Sequence, residues 1–188
     1  MHRRRHAAGE LLVAQGAAPS ELLRVRSGVV VLSAVDAEGE ERVCCLRGPG
    51  AVLNAGALTG RSAAFRAEAL TPVEVCLLPR ERLEDAVRQE GPAGLRLAHL
   101  LLSEGRSWAL GSLGGSGRKA TSRVAALLLE LDDLGVDSRG VQRRLLARVL
   151  AIRPETLSRS LRSLREAGAI DSVGAVVDSS RLRRLARD

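Results

Sequence analysis

A chain of 188 residues with 45% hydrophobic and 27% charged residues is too apolar and too varied to be disordered, and it is long enough for two small cores. The formal net charge of +7 is uneven: residues 118–188 hold 15 Lys+Arg against 9 Asp+Glu, whereas residues 1–117 hold 14 against 13. Arginines displace counterions condensed on phosphate, so the C-terminal excess is either the footprint of a nucleic-acid-binding domain or simply a basic, soluble surface.

In chain order, the basic start from Met1 to His6 is not followed by the apolar stretch and cleavage site of a secretory signal. No run approaches the ~18 apolar residues that span a bilayer, so a cytoplasmic protein with no membrane partner is expected. From Glu10 to Pro79 short β-type runs alternate with turn residues: Leu22 to Arg26, Val29 to Ala34, Arg42 to Leu46, Ala64 to Ala69 and Val73 to Leu78. Gly28, Asp36 to Gly39, Gly48-Pro49-Gly50 and Thr71-Pro72 separate them. Such spacing predicts an antiparallel barrel or sandwich. Glu81 to Leu110 reads as helix, with Leu95, Leu102 and Ala109 in a heptad widened by Leu97, Leu100 and Leu101. That stripe needs cover, either from the barrel or from the same helix of a second copy. Gly111 to Gly117 is too rich in glycine for a helix and reads as a hinge. Beyond it come a helix from Thr121 to Leu134, a second from Val141 to Leu150, a tight turn, a third from Glu155 to Ala167, a short hairpin around Gly174 and a basic helix from Ser180. Three helices followed by a small wing are the plan of a winged helix-turn-helix. The expected fold class is α+β: a jelly-roll-like antiparallel β-barrel over 1–80, a central dimerisation helix and Gly-rich hinge over 81–117, and a winged helix-turn-helix over 118–188.

The stretch from Leu145 to Leu164 carries the functional signal. Pro154 suits a first helical position, where its missing N–H leaves no bond unmade. Leu157, Leu161 and Leu164 then share one face, while Glu155, Ser158, Arg159 and Arg162 share the opposite one at i, i+3, i+4 and i+7. In a major groove Arg159 can donate twice to guanine, Glu155 can accept from the cytosine amino group, and Ser158 can contact thymine or phosphate. Arg153, Arg162 and Arg165 are placed for phosphate contacts, which fix register without reading sequence.

Glu155-Thr156-Leu157-Ser158-Arg159, followed by Leu161, Leu164, Gly168 and Ile170, resembles the recognition helix of the CRP/FNR family. Gly28, Gly39, Pro49-Gly50 and Arg61-Ser62 resemble positions of that family's cyclic-nucleotide-binding-like barrel. Thr121 to Ala125 resembles the start of its DNA-binding domain, and Asp178 with Leu182 its closing segment. The resemblance implies a homodimer on double-stranded DNA with two-fold symmetric promoter sites, and RNA polymerase as a further candidate partner. The Glu155, Ser158, Arg159 pattern is similar to the FNR type, which implies a half-site related to TTGA. There are departures. Pro154 stands where the cyclic-AMP-receptor type has a further base-reading arginine, Ala151 replaces a frequent turn glycine, and Arg153 replaces a better N-cap residue.

In relatives that bind cyclic AMP an Arg-Ser pair holds the phosphate, and Arg61 and Ser62 resemble it as a candidate effector pocket. The ribose-binding glutamate has no match in Leu53 to Leu58, so control by cyclic AMP is not expected. Cys44, Cys45 and Cys76 stand at no metal-like spacing and are too few for an iron–sulfur site of the FNR type; they read as small core residues. His99 reads as a packed or dimer-contact residue, and no cofactor or metal is expected. Gly115 to Ala120 formally fits G-x-G-x-x-A but follows no strand, and no catalytic motif is present, so an enzyme is not expected. The competing reading is an architectural protein that binds nucleic acid without sequence preference and uses its barrel as an interaction module.

Overall fold

The computed structural model describes residues 2–18, 20–88 and 119–187. The chain divides into two compact units, Met1–Gly114 and Gly115–Asp188, each with its own core.

The first unit is built from eight strands: β1 (His2–His6), β2 (Leu11–Val13), β3 (Glu21–Ser27), β4 (Val30–Val35), β5 (Glu41–Arg47), β6 (Val52–Leu53), β7 (Arg66–Ala69) and β8 (Val73–Pro79). They form two four-stranded antiparallel sheets, ordered β1-β8-β3-β6 and β2-β7-β4-β5. The arrangement is jelly-roll-like, as expected, but the strands lie in two facing sheets and do not close into one cylinder. The period-2 alternation of strand side chains builds the core: in β3, Leu23 and Val25 are buried while Arg24 and Arg26 are exposed. Leu23, Val25 and Val75 from one sheet meet Val30, Leu32 and Ala67 from the other. Gly28 turns β3 into β4 at φ +80, with its α-carbon so close to Pro72 that an added Cβ would lie 2.1 Å from the Pro72 carbonyl oxygen.

Three strands escaped the pattern reading. The charged β1 has four exposed residues of five and is held by its register on β8, His2 opposite Leu77 through His6 opposite Val73. Around it Glu74 is shared by Arg3, Arg5 and Arg26, at 3.8, 3.2 and 3.3 Å. The other two, β2 and β6, are only three and two residues long. After β8, α1 (Arg80–Arg88) begins the helix expected from Glu81. The rest of that helix to Leu110, His99 and the glycine-rich segment from Gly111 to Gly117 lie outside the described residues.

The second unit comprises α2 (Ala120–Asp133), a 3-10 turn (Ser138–Gly140), α3 (Arg143–Val149), α4 (Pro154–Glu166) and α5 (Ser179–Leu185). Helix α2 packs on α4 and α5, and α3 packs on α4. Val124, Leu128 and Leu131 of α2 and Leu157, Leu161 and Leu164 of α4 are buried, as is Leu182 of α5. Between α4 and α5 the chain folds back through a β-bridge joining Ile170 to Val176, the small wing expected around Gly174.

Candidate nucleic-acid interface

Helix α3 ends and α4 begins within a few residues, and the geometry of that turn sets how α4 is presented. The Ile152 N–H donates to the Ala147 carbonyl at 3.0 Å and the Ala151 N–H to the Arg148 carbonyl at 3.0 Å, the paired bonds of a Schellman C-cap. Ala151, where that motif favours glycine, is held at φ +47. The Arg123 guanidinium of α2 donates to the Leu150 carbonyl and ties the turn to the rest of the unit. Pro154 opens α4 at its first turn, and Arg153 stands at the N-cap with no side-chain capping bond, as its chemistry dictates.

Helix α4 has two faces. Leu157, Ser160, Leu161 and Leu164 are buried. Arg153, Glu155, Ser158, Arg159, Arg162 and Arg165 are all exposed. Burial of Ser160, which interrupts the apolar stripe, is explained by the Thr121 hydroxyl of α2 at 3.4 Å. Among the described residues Arg153, Arg159 and Arg162 take part in no ion pair, so their guanidinium groups are available to an external anion. Arg165 differs: its Nε donates to the Asp171 carbonyl at 3.3 Å, which couples the end of α4 to the wing.

The wing is organised by one carboxylate. Asp171 Oδ1 accepts from the backbone N–H groups of Val173, Gly174 and Ala175 at 2.9, 2.7 and 2.8 Å. Those bonds, the one from Ala175 foremost, with help from the Arg139 charge, hold its carboxyl below the usual range. A small cleft beside the wing, about 150 Å³, brings Arg139 and Arg143 next to Arg165 above Leu128 and Leu161. Sequence reading passed over Arg139 and Arg143 because they lie before the helix that carries the period; the signal available was two arginines flanking the start of α3.

In the first unit Arg61 and Ser62 line the rim of a cavity of about 270 Å³ that opens onto the sandwich core. Its walls include Val13 and Leu32 from one sheet and Val52 and Leu53 from the other, with Phe65 alongside, and no carboxylate is found among the described residues that line it. Asn54, also in the lining, sits at φ +59 with its Nδ2 donating to the Glu21 carbonyl at 2.8 Å. Cys44, Cys45 and Cys76 form no disulfide; burial pushes the Cys44 thiol up, away from a reactive thiolate. No cluster of three or more metal-ligating side chains occurs among the described residues, and no helix among them is long and apolar enough to cross a membrane.

Comparison with known proteins converges on one kind of molecule. A cyclic nucleotide-binding domain model matches residues 3–90, and a Crp-like helix-turn-helix domain model matches residues 122–185. The transcriptional activator protein anr of Pseudomonas aeruginosa is 26% identical over 190 residues, spanning 95% of this chain and 78% of that protein. The fold is similar to that of FixK2 from Bradyrhizobium japonicum, with a TM-score of 0.80 and 23% identity over 98% of this chain and 96% of the other. It is also similar to TTHA1359, a CRP/FNR family transcriptional regulator from Thermus thermophilus, with a TM-score of 0.70 and 26% identity over 100% of this chain and 99% of the other.

Proposed function

We propose that this chain, which belongs to the CRP/FNR family of transcriptional regulators, works as a homodimer on two-fold symmetric promoter sites and is not controlled by cyclic AMP. Its helix-turn-helix domain binds DNA. In this reading Glu155, Ser158 and Arg159 contact base edges, and Arg153, Arg162 and Arg165 contact phosphates. The observation that carries it is the division of α4 into a buried apolar face and an exposed face on which those side chains follow one another at helical spacing. Two such helices must lie about 34–36 Å apart to enter successive major grooves on one side of the duplex, which is what a two-fold dimer provides. Residues 1–80 then form the sensor, 81–117 the dimerisation helix and hinge, and 118–188 the DNA-binding domain. Independence from cyclic AMP is supported by the described residues of the cavity lining, among which no carboxylate waits for ribose hydroxyls. The protein acts in the cytoplasm, with RNA polymerase as a further partner, and Arg61 and Ser62 mark its effector pocket.

Selection of bound sequences from a random duplex library, with the purified full chain at near-physiological salt and no added ligand, tests this reading. A two-fold symmetric motif is expected, and Arg159→Ala should lose about 1–3 kcal/mol of preference at one base position. Arg162→Ala should weaken all sequences about equally and lower the salt slope by about 1. If Arg159→Ala keeps the full base preference, α4 is not the reading element, and a non-specific architectural role takes precedence.

A further inference from the structure

Helix α2 is the first described element of the C-terminal unit, and its opening turn reaches the helix-turn-helix twice. Thr121 meets Ser160 of α4 at 3.4 Å, and the Arg123 guanidinium donates to the Leu150 carbonyl at the end of α3. In the second bond a charge serves a backbone oxygen. Arg123 is half-buried and takes part in no ion pair among the described residues, so that carbonyl is where its guanidinium is directed. The last carbonyls of a helix have no intrahelical donor, and Leu150 is buried, which leaves its oxygen poorly served by water.

The Leu150 carbonyl and the Ala151 N–H belong to one planar peptide unit. Arg123 holds the oxygen end of that plane, and the Arg148 carbonyl holds its N–H end at 3.0 Å. The next torsion is the φ of +47 that Ala151 adopts where glycine is favoured. A left-handed L-residue persists only where its surroundings over-determine it, and a peptide plane fixed at both ends does so. Helix α4 begins soon after, at Pro154, so the orientation of that plane sets how α4 leaves the turn. We propose that Arg123 is a positioning residue for DNA reading: by holding the Leu150–Ala151 peptide it compensates for alanine at a glycine position and fixes the presentation of α4. The inference rests on the reading of α4 as the DNA-contacting helix.

A double-mutant cycle on the full chain tests it, with Arg123→Met, Ala151→Gly and the pair, read by binding to the selected DNA site and by amide exchange across α4. Arg123→Met should weaken the selected site about tenfold while leaving affinity for an unrelated duplex, and its salt slope, unchanged, because the guanidinium serves a protein carbonyl and not a phosphate. In the Ala151→Gly background the same substitution should weaken the site about twofold or less, since glycine adopts the left-handed conformation unaided. Arg123→Lys, which keeps a cationic donor for the single carbonyl, should recover most of the affinity. Protection at Leu157, Leu161 and Leu164 should show the same non-additivity in the absence of DNA; if Arg123→Met fails to fold, Arg123→Gln, polar but shorter, carries the cycle. Equal losses in the alanine and glycine backgrounds overturn the inference. So does a weaker unrelated duplex with its salt slope lower by about 1, which makes Arg123 a phosphate contact. Full base preference in Arg159→Ala overturns the reading of α4 itself, an outcome kept distinct because the exchange coupling between Arg123 and Ala151 does not depend on DNA.

Discussion

Ala151 occupies the one position of the helix-turn-helix where its residue type opposes its backbone. At φ +47 it stands at the C′ position of α3, with the 5→2 and 6→1 bonds of the Schellman motif both formed. An L-residue pays about 1–2 kcal/mol to adopt this conformation, because its Cβ crowds the following carbonyl. Replacement by glycine removes that strain but frees the unfolded chain, which returns about 0.4–1 kcal/mol. Ala151 is exposed, so no packing is lost with its methyl group. Ala151→Gly should therefore stabilise the C-terminal unit by about 0.5–1 kcal/mol, the difference between those two quantities. Amide hydrogen exchange across α3 and α4 reads this directly: protection should rise about two- to fivefold at the buried positions Leu146, Leu157, Leu161 and Leu164. Ala147→Gly is the opposite control. Ala147 is buried inside α3, so glycine there should lower protection by about 1 kcal/mol or more. If Ala151→Gly leaves protection unchanged or lowers it, the turn does not hold its left-handed residue in solution and the strain argument fails.

The remaining expectations concern the start of α4, the wing and the sandwich. Arg153→Ser should place a capping hydroxyl where none exists and stabilise the unit by about 0.5–1 kcal/mol, while weakening DNA binding through loss of a phosphate contact; thermal melting and a salt titration of binding separate the two effects. Asp171 has its folded carboxyl pulled below the unfolded range, so its contribution is present above the unfolded value and is lost as pH falls through the folded one. Wing amide protection should accordingly persist at neutral pH and disappear in acid below the ordinary carboxylate range, whereas Asp171→Ala should lose it at every pH, as exchange at Val173, Gly174 and Ala175 would report. Gly28→Ala should destabilise the sandwich by about 2–3 kcal/mol or more, since the new Cβ meets backbone at Pro72 and the φ is positive; a urea midpoint unchanged from the parent chain would contradict that close approach.

How far the sequence could be read depended on whether a feature was local and periodic. The two faces of α4 were legible because seven exposed or buried positions repeat at helical spacing within a single element, and the structure buries Leu157, Leu161 and Leu164 on the side opposite Glu155, Ser158, Arg159 and Arg162. The strand β1 was not, because His2 to Arg5 carry no apolar alternation and their conformation comes from pairing with β8, some seventy residues away. Ser160 illustrates the same limit within a legible helix, where a hydroxyl belongs to the core only because α2 brings Thr121 to it. At the two candidate sites the missing information was conformational. That Asp171 gathers three N–H groups, and that Asn54 takes a left-handed backbone beside an apolar cavity with its Nδ2 on the Glu21 carbonyl, follow from backbone geometry that no side-chain pattern records. The proposed DNA-contacting face was thus written in the order of residues along one helix, whereas the cavity beside Arg61 draws its lining from both sheets and the loop between β6 and β7, and became readable only once the sandwich had brought them together.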